Sequence, residues 1–177
     1  MRASVFVGTS LDGFIARSNG EFDFLFPSGN EPHGYDEFMA TIDALVIGHG
    51  TFDVVNKMAE WPYGDKPVIV LSNRPLEETR LGRKVDRLSG NPQEVFAILE
   101  ARGFEHIYVD GGITIQRFLE AGLIHRLIIT RVPVIIGAGI PLFGPTHRDI
   151  LLEHIATRTY ASGLVQSEYA LKFCTMR

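Results

Sequence analysis

Three places in this chain set bare backbone or hydrogen-bond donors at the end of an apolar run. The first is Tyr108-Val109-Asp110-Gly111-Gly112, where an apolar segment ends in an acid and two glycines before a helical pattern over 113–121. Glycine suits the interior of neither element, so the pair belongs at the junction. There the free backbone N–H groups and the positive end of the helix dipole attract an anion, typically a phosphate, and Thr114 adds a hydroxyl donor. A tight turn with positive φ at one glycine explains the pair equally well. The second place repeats the construction: residues 44–47 run into Gly48-His49-Gly50-Thr51 and then another helical pattern. Thr51 suits the N-cap, while Gly48 and Gly50 expose the backbone beside it. Two such openings in one chain point to a diphosphate held between them. The third is Ser72-Asn73-Arg74 after the run 68–71. Neutral donors with a guanidinium suit a phosphate monoester, the device that selects the 2′-phosphate of NADP over NAD; alone, the triplet reads as a solvated turn.

A fourth stretch, residues 9–16, carries Asp12-Gly13, a strong turn signal. Its small and apolar flanks also fit the flat face of a nicotinamide ring. Other chemistries are absent. Gly137-Ala138-Gly139-Ile140-Pro141 lacks the third glycine of a dinucleotide fingerprint, and Pro141 spoils the helix that should follow. Neither a Walker A sequence, a nucleophile elbow nor a His-Glu-x-x-His motif occurs. The 6 histidines show no ligand spacing, and one cysteine, Cys174, excludes an internal disulfide or a multi-cysteine zinc site. No metal is expected. A net charge of −4 gives no case for nucleic acid. Neither a leader peptide nor a membrane span fits the sequence, so a reducing cytoplasm is the expected setting.

These residues need a frame to hold them. Short β-rich runs recur at 4–7, 14–17, 44–47, 68–72, 106–110, 126–136, 151–160 and 165–173, each bounded by turn formers. Helical patterns lie between several of them, at 35–41, 51–59, 92–102 and 113–121. The third is the clearest, with Asn91 suited to the N-cap, Pro92 to the first helical position and Gly103 to the C-terminal stop. Strand–helix alternation to about residue 125 implies parallel pairing with helices on both faces. Beyond it strands follow one another without a helix, which implies antiparallel pairing. At 177 residues, one domain spanning 1–177 is expected, an α/β three-layer sandwich around a mixed, mostly parallel central sheet with antiparallel C-terminal strands.

In this order the pieces resemble the dihydrofolate reductase-like superfamily. The closer likeness is to the reductase domain of the bifunctional riboflavin-pathway deaminase–reductases and their stand-alone relatives. It rests on residues 10–16, 43–52, 70–74, 107–112, 118–124 and 133–143, nearly the whole chain. The resemblance implies NADPH across the carboxyl ends of the central strands. Gly48, Gly50 and Thr51 would meet one side of its phosphates and Gly111, Gly112, Ile113 and Thr114 the other. Ser72, Asn73 and Arg74 would hold the 2′-phosphate, and Ile15 and Ala16 would line the nicotinamide with Gly8 close by.

The implied reaction is hydride transfer to a small pyrimidine or pterin, first 5-amino-6-(5-phosphoribosylamino)uracil and alternatively dihydrofolate. A non-catalytic nucleotide- or flavin-binding protein that keeps the cleft is the reading from another class. His49 stands where family members often carry Arg, and histidine holds only part of a charge at neutral pH. Folate reductases place an acid on the first helix. Asp36 lies in that region as a candidate proton donor, or as a helix N-terminal charge together with Glu37, and Asp12 is a second candidate. Trp61 either roofs the substrate pocket or fills a loop. A substrate phosphate would fall to Arg17, Arg131 or Arg148. The apolar run 132–143 needs cover, which a homodimer would supply.

Overall fold

Apolar segments such as Ala44–Gly48 and His106–Asp110 are too short for core helices and buried on both faces, and they form the middle of one sheet. The computed structural model describes residues 1–25, 31–77 and 85–172. Its strands are β1 (Arg2–Thr9), β2 (Phe14–Ala16), β3 (Ala44–Gly48), β4 (Val68–Leu71), β5 (Val85–Leu88), β6 (His106–Asp110), β7 (Arg126–Arg131), β8 (Ile140–Pro141), β9 (Leu152–Thr159) and β10 (Val165–Leu171). The helices are α1 (Tyr35–Ala40), α2 (His49–Val55), α3 (Pro92–Ala101) and α4 (Gly112–Glu120). Eight strands make the main sheet in the order β5-β4-β3-β6-β1-β7-β10-β9. Pairing is parallel from β5 through β7, and β10 runs antiparallel to both β7 and β9. β2 and β8 form a separate two-stranded ribbon.

The two-residue period of the strands divides the core. Ala3, Val5, Val7, Val46, Ile107 and Val109 meet Val95 and Leu99 of α3 and Ile115 and Phe118 of α4. Phe6, Leu45, Ile47, Val68 and Tyr108 face the other way, against Phe38 of α1 and Phe52 and Val55 of α2. The result is the α/β sandwich expected of this pattern. α3 starts as its residues dictate: Asn91 accepts from Glu94 N, Glu94 returns the bond to Asn91 N, and Pro92 opens the helix.

Several boundaries differ from the sequence expectation. The strand over 126–136 stops at Arg131, because Pro133 has no N–H for a ladder and Val134 N turns back to Val132 O. The turn at Asp12-Gly13 forms, with Gly13 N donating to Ser10 O, but β2 then leaves β1 and pairs with β8. The helix expected over 51–59 spans His49–Val55, so Thr51 lies inside its first turn, and the N-cap is Gly48 without a side-chain bond. β5 is an edge strand that the sequence pattern missed. Phe173 and Cys174 fall outside the described residues.

At the amino ends of the strands a buried polar cluster ties the sheet to α1. Ser4 and His106 join through Oγ and Nε2 at 2.8 Å, and His106 Nδ1 lies 3.0 Å from Thr41 O. A carbonyl only accepts, so Nδ1 carries the proton and Nε2 accepts from the Ser4 hydroxyl. Burial holds the His106 imidazole below its usual pKa, with the positive charge of Arg2 adding to the effect. The fold therefore favours the neutral ring. That contribution is present above about pH 6.5 and is lost as pH falls through the depressed value. Ser4→Ala leaves Nε2 buried without a donor and is expected to cost about 1–3 kcal/mol in urea unfolding at pH 7.5. An unchanged midpoint would refute the assignment of Ser4 as the donor.

Candidate functional site: the carboxyl edge of the central strands

Parallel neighbours end on the same side, so the strand order fixes which junctions stand side by side. Along the carboxyl edge the sequence is Ser72 after β4, Gly48 ending β3, Gly111 after β6 and Gly8 in β1. Three strand spacings separate the first from the last, about 14 Å. This edge collects all three of the phosphate-suited places picked out by composition.

The two glycine junctions interlock. Gly111 has φ 92°, a conformation that favours glycine, and a Cβ there would overlap Thr51 Oγ1. In return, a Cβ on Gly48 would stand 2.8 Å from Thr114 Oγ1. Each threonine thus fills the space left by the glycine of the opposite junction. Gly112 is covered as well: a Cβ would lie 2.9 Å from Ile140 Cγ2, 3.2 Å from Pro141 O and 3.3 Å from Ile15 Cδ1. The side-chain-free faces of Gly111 and Gly112 therefore serve packing, and the Gly111 N–H expected to meet a phosphate is taken by Asp110 Oδ1 at 2.7 Å. Gly50 differs, since among the described residues nothing lies within 4 Å of a Cβ placed there. Neither α2 nor α4 has a side-chain N-cap bond, and Ile113 is 71% exposed on the first turn of α4. The surface left open along this edge consists of Gly50 and the uncapped first turns.

Beside it the Ser72-Asn73-Arg74 turn is held by its own serine. Ser72 Oγ accepts from Arg74 N at 3.0 Å, donates to Arg74 O at 2.8 Å and meets His49 Nδ1 at 2.9 Å. Ser72 is buried, whereas Asn73 and Arg74 are exposed. Arg87 of β5 donates from its guanidinium to Ser72 O at 3.3 Å. Two arginines thus flank one turn, and His49 reaches it through Ser72. Arg87 was not among the expected residues. Its segment, Val-Asp-Arg-Leu, is polar enough to pass for a loop, and only the sheet order brings it beside Arg74.

The nicotinamide-lining candidates meet the same edge. Ile15 touches the Gly112 position, and Ala16 is buried in β2. A Cβ at Gly8 would lie 2.8 Å from Leu25 Cδ2, so Leu25 covers that face. Asp12 accepts from Ile136 N at 3.3 Å and Gly137 N at 2.8 Å. The Ser10 hydroxyl, then these two N–H groups, hold its carboxyl below the usual range, so it is ionised at neutral pH. Asp12 fastens the β2 turn to the 132–141 segment. Asp12→Ala is expected to speed amide hydrogen exchange at Ile136 and Gly137 while leaving protection of β6 intact; unchanged exchange at both would remove this role. Asp36 is exposed in the first turn of α1 with Glu37, the place that suits helix N-terminal charge.

A group without an expected role completes the edge. Asp110 ends β6, with Oδ1 accepting from Gly111 N at 2.7 Å and Oδ2 standing 3.5 Å from the Tyr63 hydroxyl. Burial raises its pKa. Trp61 packs edge-on to Tyr63 at 5.5 Å, and its buried Nε1 has no hydrogen-bond partner among the described residues. An acid before two glycines was visible in sequence; its partner 47 residues away was not.

Residues 4–166 match the model of the RibD C-terminal domain, and the chain belongs to that family. A solved protein of Shewanella sp. PV-4, assigned by its name to riboflavin biosynthesis, is 38% identical with a TM-score of 0.90, over 98% of this chain and 100% of that one. The uncharacterised Bacillus subtilis (strain 168) protein YwjB is 29% identical over 168 residues, 93% of this chain and 95% of its own. Enterococcus faecalis dihydrofolate reductase, solved with NADP(H), shares the fold, with a TM-score of 0.67 at 16% identity over 97% of each chain. The architecture is dihydrofolate reductase-like.

Proposed function

We propose that this chain is an NADPH-dependent reductase of a small pyrimidine or pterin, of the 5-amino-6-(5-phosphoribosylamino)uracil reductase type. One observation carries the reading: the open Gly50 surface, the uncapped first turn of α4 and the arginine-flanked Ser72 turn lie along one sheet edge. The residues present fit the cofactor. Gly50, Thr51 and the first-turn N–H groups of Ile113 and Thr114 would meet its diphosphate, and Asn73, Arg74 and Arg87 its 2′-phosphate. Ile15 and Ala16 would bound the nicotinamide. Bound NADPH supplies the hydride, and the chain supplies position, exclusion of water and a proton. Membership of the RibD C-terminal family and the 38% identity to the Shewanella protein support a reductase of this pathway.

The sole tryptophan, Trp61, makes the test direct. Quenching of its fluorescence is expected to saturate with NADPH at concentrations well below those needed for NADH. No saturation, or a preference for NADH, would overturn the assignment. Of the three arginines available for a substrate phosphate, Arg17 is engaged by both oxygens of Asp23, at 2.6 and 2.9 Å. That leaves Arg131 and Arg148 for a phosphorylated substrate.

The reading extends to a cytoplasmic homodimer. Among the described residues no helix is long and apolar enough to cross a membrane. Ile135, Phe143, Leu151, Leu152 and Ile155 are exposed, and β9 is an eight-residue edge strand. Such an edge invites pairing, and a second copy would cover it. Sedimentation as a monomer at micromolar concentration would remove the dimer.

A further inference from the structure

We propose that Trp61 reads the substrate: its indole N–H donates to a carbonyl oxygen or an unprotonated ring nitrogen of the heterocycle that is reduced. This role deepens the reductase reading and rests on it. It also separates the two places open to the ring, since filling a loop leaves its buried donor unexplained.

The orphaned donor is the first observation. Trp61 is 9% exposed, and among the described residues its Nε1 is the one buried side-chain nitrogen or oxygen without a hydrogen-bond partner. An indole N–H only donates, so what is missing is an acceptor. Other polar groups of the same cluster are provided for. The Tyr108 hydroxyl donates to Phe6 O at 2.6 Å, and the Tyr63 hydroxyl stands 3.5 Å from Asp110 Oδ2. Burying a polar group without a partner is costly, and the exceptions in folded proteins mark places that something else completes. A water fits poorly here. It needs about two to four polar partners of its own, whereas Trp61 clusters with Phe38, Phe52 and Val55.

Place is the second observation. Trp61 packs edge-on to Tyr63 at 5.5 Å, and Tyr63 in turn reaches the last residue of β6, at the edge proposed for the cofactor. A single ring therefore separates the indole from that edge, on the sheet face covered by α1 and α2. Both rings ride on the connection between α2 and β4. From Lys57 to Pro67 it forms neither helix nor strand, and Trp61 and Tyr63 are its only buried residues. Nε1 is covered at rest, so an acceptor meets it once this connection shifts. An irregular, exposed segment shifts without breaking a helix or a ladder. The substrate class that follows is a planar heterocycle carrying an exocyclic C=O or a bare ring nitrogen. A carbocyclic ring without such an atom would leave the donor unmet.

Two measurements on the full chain test this. The sole tryptophan gives a single indole N–H signal in a ¹⁵N-labelled sample. With NADP⁺ bound, so that no hydride is available, 7,8-dihydropterin or 5,6-diaminouracil as probe is expected to move that proton signal downfield, as a new hydrogen bond does. NADP⁺ alone is expected to leave it in place. A signal that neither probe moves, or one already at the bonded position in the free chain, would overturn the proposal. The second measurement replaces Trp61 by β-(3-benzothienyl)alanine, which exchanges N–H for sulfur in a ring of the same shape. Binding of 7,8-dihydropterin to the NADP⁺ complex is then expected to weaken about 3–10-fold, the loss of one neutral hydrogen bond. NADPH affinity should be unchanged, and the melting temperature should not fall, because the orphaned donor is gone. A lower melting temperature with undiminished 7,8-dihydropterin binding marks a packing role and would also overturn the proposal. Failure of the native chain to bind NADPH would sink the reductase reading instead, and the indole signal titrated with the two probes alone would still report on Trp61.

Discussion

Gly111→Ala is expected to destabilise the chain by about 2–4 kcal/mol and to abolish saturable NADPH binding. Two independent costs add. At φ 92° any side chain is strained, and the new Cβ overlaps Thr51 Oγ1. The threonine cannot swing freely, because it lies within the first turn of α2. Relief requires moving the start of α2 or of α4, and the proposed diphosphate surface consists of those two starts. Thermal melting and fluorescence titration read the two effects separately. Gly50→Ala should behave oppositely. With nothing within 4 Å of the added carbon, alanine in place of glycine in a helix stabilises by about 0.5–1 kcal/mol. A phosphate lying over that surface would meet the new methyl group, so NADPH affinity should fall while the melting temperature rises. If Gly50→Ala melts higher and binds NADPH as tightly as the native chain, the diphosphate is not held there.

Arg74→Ala is expected to weaken NADPH about 10–150-fold and to leave NADH unchanged. A charge-assisted hydrogen bond contributes about 1.5–3 kcal/mol, and each 1.4 kcal/mol is tenfold in affinity. Arg74 is exposed, and its backbone rather than its guanidinium is held by Ser72, so the substitution leaves the turn in place. Arg87 is the built-in comparison. One of its guanidinium nitrogens is engaged by Ser72 O, so Arg87→Ala removes a phosphate donor and loosens the turn as well. The double variant should bind NADPH and NADH alike. Equal losses for both cofactors in Arg74→Ala would place the arginine elsewhere than at the 2′-phosphate.

What could be read directly from the chain depended on how local the cause was. β6 and α3 were legible because their signals lie within the segment: a β-rich run ended by glycines for one, and Asn91, Pro92 and Gly103 for the other. The glycine pair was legible as a junction, although its first reason is the neighbouring junction. Only the parallel register of β3 and β6 brings Thr51 to Gly111 and Thr114 to Gly48. β5 and β8 were illegible for different reasons. The first is a polar edge strand, and the second is a two-residue segment ending in a proline, defined by pairing with β2. Ser4 and His106 stand 102 positions apart, so no window along the chain joins them. A separation of 47 positions likewise hid the tie between Tyr63 and Asp110.

The crossed fit of each threonine into the other junction's glycine has an implication for redesign. Neither corner can be rebuilt by itself. A bulkier residue at 48 calls for a smaller one at 114, and any side chain at 111 calls for trimming at 51. Attempts to retune cofactor choice along this edge should therefore vary these positions as matched pairs.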